Sequence, residues 1–127
     1  MANLDKTPAA VGPIVTAVGP SGFRVSDRIV PGGLILTPDN AVDWPVASLE
    51  ALTEADFAFL LALFPLPEFV LLGTGATLRR PAPALTAALE AKGLFLEPMD
   101  SRAAARTWGL LRGEGRAIAA ALMPVGE

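Results

Sequence analysis

The chain has 127 residues, a formal net charge of -3, and neither cysteine nor histidine. Disulfides, thiolate metal sites and catalytic triads with an imidazole base are therefore excluded, and the acidic balance argues against a protein that binds nucleic acid through a basic face. The apolar content of 52% is sufficient for a well-packed core, yet no apolar run reaches the roughly eighteen residues of a membrane span.

The first third of the chain predicts a flexible tail followed by short strands. Residues 1–12 mix Pro, Ala, Asn and Asp without periodicity and without the apolar core of a secretory signal. We expect a tail there, a single α/β domain over residues 13–127, and a soluble, cytoplasmic protein. Short apolar runs then alternate with turn-forming clusters, which is typical of a β-meander. The predicted strands are 14–17, 23–25, 28–30, 34–37 and 42–46.

A strongly apolar helix is predicted before Pro65, which ends the pattern. Its buried face has the spacing i, i+3, i+4 and i+7 and comprises Phe57, Leu60, Leu61 and Phe64. Phe59 and Leu63 widen the apolar stripe, so the helix is either buried on most sides or meets a partner protein at its outer edge. Trp44 is a further candidate for a partner contact, although packing in the core explains it as well.

From residue 68 onward the pattern predicts strand, helix, strand, helix, strand. Pro83 suits the first turn of a helix that Gly93 closes, and a second helix is predicted over 102–112. Such crossovers place parallel strands in one sheet with helices against its faces. The predicted strands are 68–72, 94–96 and 117–123, the last two apolar without alternation, as in strands covered on both faces.

The GTG turn at residues 73–75 is the first candidate site. Glycines at a strand end let backbone N–H groups approach a phosphate closely. Leu78 occupies the place of the third glycine in the dinucleotide fingerprint, so that motif is absent. The turn either holds an anion beside Arg79 and Arg80 or is a tight turn followed by two solvated charges.

The helix predicted over 102–112 supplies the other candidates. Asp100 or Ser101 can cap its free N–H groups, and Asp100 also follows a strand end, where α/β folds usually place ligands. Arg106 needs a carboxylate partner if it is buried, and with Arg116 it forms either a structural charge network or part of a site. The candidate ligand-binding residues are Gly73, Thr74, Gly75, Asp100, Ser101, Arg106, Glu114 and Arg116.

GTG at 73–75 and EPMDSRAAARTWGLLRGEGRAIAAAL at 97–122 resemble a domain of unknown function. The family is the one shared by mitochondrial complex I assembly factor 3 and the adipogenesis-associated domain-containing protein. The chain departs from its pattern at Ala105, Trp108 and Gly109. The resemblance implies a three-layer α/β fold with a central mixed β-sheet, helices on its faces and an N-terminal β-meander.

The resemblance also implies a non-enzymatic, assembly-factor-like domain that binds a protein partner without a cofactor, and the lack of histidine and cysteine adds the expectation of no metal site. We expect no catalytic residue and no membrane span, although the partner complex can itself be membrane-associated. An exposed edge strand or the face bearing Phe59 would suit a weak homodimer. The alternative is a small-ligand-binding or catalytic domain with an anion-holding cleft at the GTG turn, Asp100 and Arg106.

Overall fold

The structure is a computed structural model that describes residues 12–126. The tail predicted over residues 1–12 lies outside the described residues, except for Gly12. The strands in the described range are β1 (Val15–Gly19), β2 (Gly22–Val25), β3 (Arg28–Val30), β4 (Gly33–Leu36), β5 (Ala41–Trp44), β6 (Val70–Gly73), β7 (Leu96–Met99) and β8 (Ala119–Leu122). The helices there are a 3-10 helix (Glu54–Phe57), α1 (Ala58–Leu61), α2 (Pro83–Ala91) and α3 (Ser101–Gly113).

The strands form two sheets. Strands β1, β2 and β3 make an antiparallel meander, and the other five make a sheet in the order β5-β4-β8-β6-β7. Strand β8 is antiparallel to β4 and parallel to β6, which makes the larger sheet mixed. The predicted α/β class, with a central mixed sheet and an N-terminal meander, is confirmed. No helix within residues 12–126 has the length and apolar character needed to cross a bilayer.

Both faces of the central sheet are covered. On one face, Leu89 of α2 packs with Leu72 of β6 in a core that also includes the 3-10 helix. On the other face, Trp108 of α3 packs with Phe23 of the small sheet and with Leu71 of β6. Strand β6 serves both cores because successive side chains of a strand point to opposite faces. The layers predicted on the two faces of the sheet are therefore present.

The helix predicted to end at Pro65 is shorter than expected. A 3-10 turn leads into the single turn α1, which ends at Leu61. Phe64 was assigned to its buried face, and this was wrong because Phe64 is 98% exposed. The physical reason is that a residue before proline disfavours helical backbone angles, so Phe64 cannot continue the helix.

The strand predicted over 94–96 is displaced to Leu96–Met99 and lies at the edge of the sheet. The expectation that it is covered on both faces was wrong, since Phe95 is 48% exposed. Leu94 is fully buried although it precedes the strand, which accounts for its apolar character. Pro98 is tolerated within the strand because a sheet edge does not require its missing N–H.

Candidate functional site

The GTG turn joins the carboxyl ends of three strands. The Thr74 N–H donates to the Met99 carbonyl at 2.8 Å, which connects the turn to β7. The Met123 N–H donates to the Gly73 carbonyl at 2.9 Å, which connects β8 to the same turn. Ligands of open α/β sheets bind at this end of the strands, so the turn has the predicted location.

Ser101 is fully buried at this junction, and its hydroxyl group links the strands. The Oγ donates to the Met123 carbonyl at 2.6 Å and accepts the Gly75 N–H at 2.9 Å. The Ser101 N–H donates to the Gly75 carbonyl at 2.8 Å. A Cβ atom on Gly73 would lie 2.7 Å from the Ser101 Oγ, so the close approach of turn and helix requires glycine there.

Thr74 is only 4% exposed and closes the loop after the turn. Its Oγ1 donates to the Thr77 carbonyl at 2.7 Å and accepts the Arg79 N–H at 3.0 Å. The Arg79 guanidinium, considered above as part of an anion site, forms an ion pair with Glu50. The Thr74 hydroxyl and the Arg79 guanidinium are thus engaged within the protein.

Asp100 is the cap of α3. Its Oδ1 accepts the Ala103 N–H at 2.9 Å, one of the four amides that a helix leaves free at its start. The sequence is compatible with either Asp100 or Ser101 as the cap, and the structure assigns this role to Asp100. Asp100 and Ser101 therefore both lie next to the GTG turn, where Asp100 caps the helix and Ser101 links the strands.

The other three predicted site residues lie away from the junction. Arg116 forms an ion pair of 2.8 Å with Glu68, at the amino ends of β6 and β8. Glu114 follows the last turn of α3, about 20 Å from Asp100 by the rise of the helix. Arg106 is exposed on α3. The predicted network did not include Glu68, which lies 48 residues from Arg116 and has no local sequence signal.

The ion pair at the amino ends of the strands stays charged near neutral pH. The hydrogen bond from Arg116 lowers the pKa of the Glu68 carboxyl below its usual value. The Arg116 guanidinium also lies 5.8 Å from the centroid of the Phe69 ring. A carboxylate held ionised in this way is a poor proton carrier, and the pair joins the segment after α3 to the residues before β6.

Trp44, for which the sequence left a partner contact and packing in the core as alternatives, lies in the core. It is 3% exposed, and its Nε1 donates to the Asp56 carbonyl at 2.8 Å. Its ring meets Phe57 edge-on with centroids 5.6 Å apart. Trp44 thus connects the edge strand β5 to the 3-10 helix, and its side chain is not accessible to a partner.

The other two predicted partner contacts belong to an apolar surface. Phe59 is 42% exposed and Leu63 is half-buried, while Phe64 between Leu63 and Pro65 is almost fully exposed. A groove of about 230 Å³ beside Phe64 extends to the turn between β4 and β5. We call Phe59, Leu63 and Phe64 the Phe59–Phe64 surface.

A family model and several known proteins match most of this chain. The model of a family described as Protein of unknown function (DUF498/DUF598) matches residues 15–123. NADH dehydrogenase (ubiquinone) 1 alpha subcomplex assembly factor 3 of Bos taurus is 36% identical over 103 residues, which cover 81% of this chain and 56% of that protein. An uncharacterized protein of Rhodobacter capsulatus is 33% identical over 111 residues, which cover 87% of this chain and 84% of that protein.

The fold is also similar to a solved structure. A Bordetella pertussis protein described as a Mth938-like domain superposes with a TM-score of 0.78 at 28% sequence identity. The superposition covers 99% of this chain and 94% of that one. The chain therefore matches nearly all of the solved Bordetella pertussis chain but spans only about half of the Bos taurus assembly factor, 56% of its length.

Proposed function

Because the chain belongs to the family described as Protein of unknown function (DUF498/DUF598), we propose that it is an assembly-factor-like domain that works by binding other proteins. The complex it serves is a NADH dehydrogenase, the complex in the name of the assembly factors that it resembles. Its contribution is a surface that a subunit or another assembly protein contacts. It needs no catalytic residue for that role.

The observation that carries this proposal is the exposure of Phe64. Burying a phenylalanine side chain is worth about 1.5–3 kcal/mol, and the folded chain forgoes nearly all of it at a ring that is 98% exposed. Phe59, 42% exposed, lies on the same segment. Exposed apolar side chains grouped in this way mark interaction sites, and aromatic rings are frequent anchors of protein interfaces.

The GTG junction supports the same proposal. The Ser101 hydroxyl and the Thr74 hydroxyl both donate to backbone carbonyls and accept backbone N–H groups. A ligand at the turn would have to replace these hydrogen bonds and so would gain little net free energy. The cleft considered as an alternative is therefore not favoured, and these residues are assigned to holding the strands together.

Replacing both Phe59 and Phe64 with serine tests the proposal in the source organism. Deletion of the gene should reduce the amount of assembled NADH dehydrogenase on native gels, and the wild-type gene should restore it. The F59S/F64S variant should restore markedly less, because it lacks the apolar anchors. Phe95→Ser is the matched control, since Phe95 is 48% exposed but lies at the edge strand β7, and it should restore assembly fully.

Two outcomes would count against the proposal. Normal assembly in the deletion strain would show that the protein has no role in assembly. Full rescue by the F59S/F64S variant would show that the Phe59–Phe64 surface is not needed for that role. Thermal unfolding of the purified variants is the check that they are folded, and each should still unfold in a cooperative transition. Fractionation of the tagged protein tests the cytoplasmic location, and sedimentation of the purified protein tests for the weak homodimer.

A further inference from the structure

A second surface lies on the opposite face of the central sheet, between β1 and α3. It is a groove of about 240 Å³ lined by residues 15–18 of β1 and by Arg102, Ala105 and Arg106 of α3. Both arginines are exposed. Within residues 12–126, neither guanidinium group forms an ion pair or a hydrogen bond with another side chain or carbonyl group.

The two arginines form a pair of like charges with a defined spacing. Positions i and i+4 of a helix lie on the same side and are about 6 Å apart along its axis. Like charges at this separation repel each other on a helix surface. A carboxylate placed at each guanidinium would remove that repulsion and form bidentate hydrogen bonds, which arginine makes well with carboxylates.

The spacing of the two arginines and the open edge of β1 favour an extended chain as the occupant of the groove. Alternate side chains of an extended peptide point the same way and are about 6.6–6.8 Å apart, close to the spacing of Arg102 and Arg106. Strand β1 is an edge strand of the three-stranded sheet, so backbone groups on its outer side face no other strand of that sheet. The groove is smaller than the roughly 300–1,000 Å³ of clefts that enclose small molecules.

We propose that this groove binds an extended segment of a partner protein with carboxylates at alternate positions, one for Arg102 and one for Arg106. Val15 and Val18, both half-buried, offer apolar contact to the residue between the two carboxylates. The inference rests on the proposed function in one respect, which is that the partner is a protein. It adds a surface separate from the Phe59–Phe64 surface, because α1 and α3 lie on different faces of the sheet.

A fluorescent peptide of alternating glutamate and valine is the probe, and a peptide with lysine in place of glutamate is its control. Titration of the purified full chain, followed by fluorescence anisotropy, should show binding of the glutamate peptide that weakens as salt is added. Replacing both Arg102 and Arg106 with glutamine should raise the Kd about tenfold or more, since each pair is a charge-assisted hydrogen bond. Arg80→Gln removes another exposed arginine, one outside the groove, and should leave the Kd unchanged.

Each remaining outcome overturns the inference. Equal binding of the glutamate peptide to the R102Q/R106Q variant shows that the arginines are not its site. Equal binding of the lysine peptide shows that charge does not determine binding. If free glutamate competes as strongly as the unlabelled peptide does, the groove binds a small anion and not a peptide. Absence of peptide binding also refutes it, while the rescue experiment on Phe59 and Phe64 is unaffected, so the two proposals fail separately.

Discussion

The Ser101 side chain forms hydrogen bonds with two buried backbone groups. Gly75 N–H and the Met123 carbonyl both meet its hydroxyl, and neither side of the junction is open to water at that point. Backbone polar groups that are buried without a partner are costly. A single hydroxyl group therefore connects the GTG turn, the start of α3 and the end of β8.

Ser101→Ala tests this connection. The substitution leaves a donor and an acceptor unsatisfied in the interior, which should lower the free energy of unfolding by about 2 kcal/mol. Urea denaturation measures the change. Ser21→Ala, at an exposed position in the turn after β1, is the control and should have little effect. A Ser101→Ala protein as stable as the wild type would show that the junction is not structural and would return Ser101 to the list of ligand candidates.

The segment between α3 and β8 forms an ion pair with a residue that is distant in sequence, Glu68 before β6. Arg116 lies just after α3, and its hydrogen bond lowers the pKa of Glu68, whose usual value is 4.5. Because the pKa of the folded state is the lower one, the unfolded chain takes up a proton more readily at acid pH. The stabilisation is therefore present above the usual pKa and is lost as pH falls through the pKa of the folded protein.

Arg116→Gln should move the titration midpoint of the Glu68 carboxyl up towards its usual value. Observing the carboxyl carbon by NMR as a function of pH measures this directly. The wild type should also be more stable than the variant at neutral pH, by a small amount because the pair is exposed, and this difference should vanish in acid. Arg80→Gln should leave the midpoint where it is. A midpoint unaffected by Arg116→Gln would mean that the pair does not form in solution.

The elements differ in how far their sequence predicts them. Strand β8 was predicted as interior because its apolar run is unbroken, and it lies between β4 and β6 with every residue buried. The cap at Asp100 was predictable because capping depends on neighbouring residues alone. Phe64 fits helical spacing, but Pro65 restricts its backbone angles. A prediction made from the spacing of apolar residues does not include that restriction. The partner of Arg116 depends on strand order, which no local pattern encodes.

Two tryptophans connect the layers of the molecule on opposite sides of the central sheet. Trp108 donates from Nε1 to the Pro13 carbonyl at 2.9 Å and so connects the residues before β1 to α3, 95 positions later. Trp44 makes the corresponding bond to Asp56 on the other side. Both side chains belong to the buried cores. The two indole groups thus help to hold the 3-10 helix and the residues before the small sheet in place.

Trp108→Phe and Trp44→Phe should loosen different parts of the molecule. Each removes one indole donor and some packing, so each should lower the free energy of unfolding by at least about 1 kcal/mol. Hydrogen exchange should then accelerate locally, in β1 and β2 for the Trp108 variant and in the 3-10 helix for the Trp44 variant, because local opening precedes global unfolding. Each variant is the control for the other. Uniform acceleration across the described residues in both would show that the layers do not open independently. In that case peptide binding beside β1 and partner binding at the Phe59–Phe64 surface would be coupled through the whole fold.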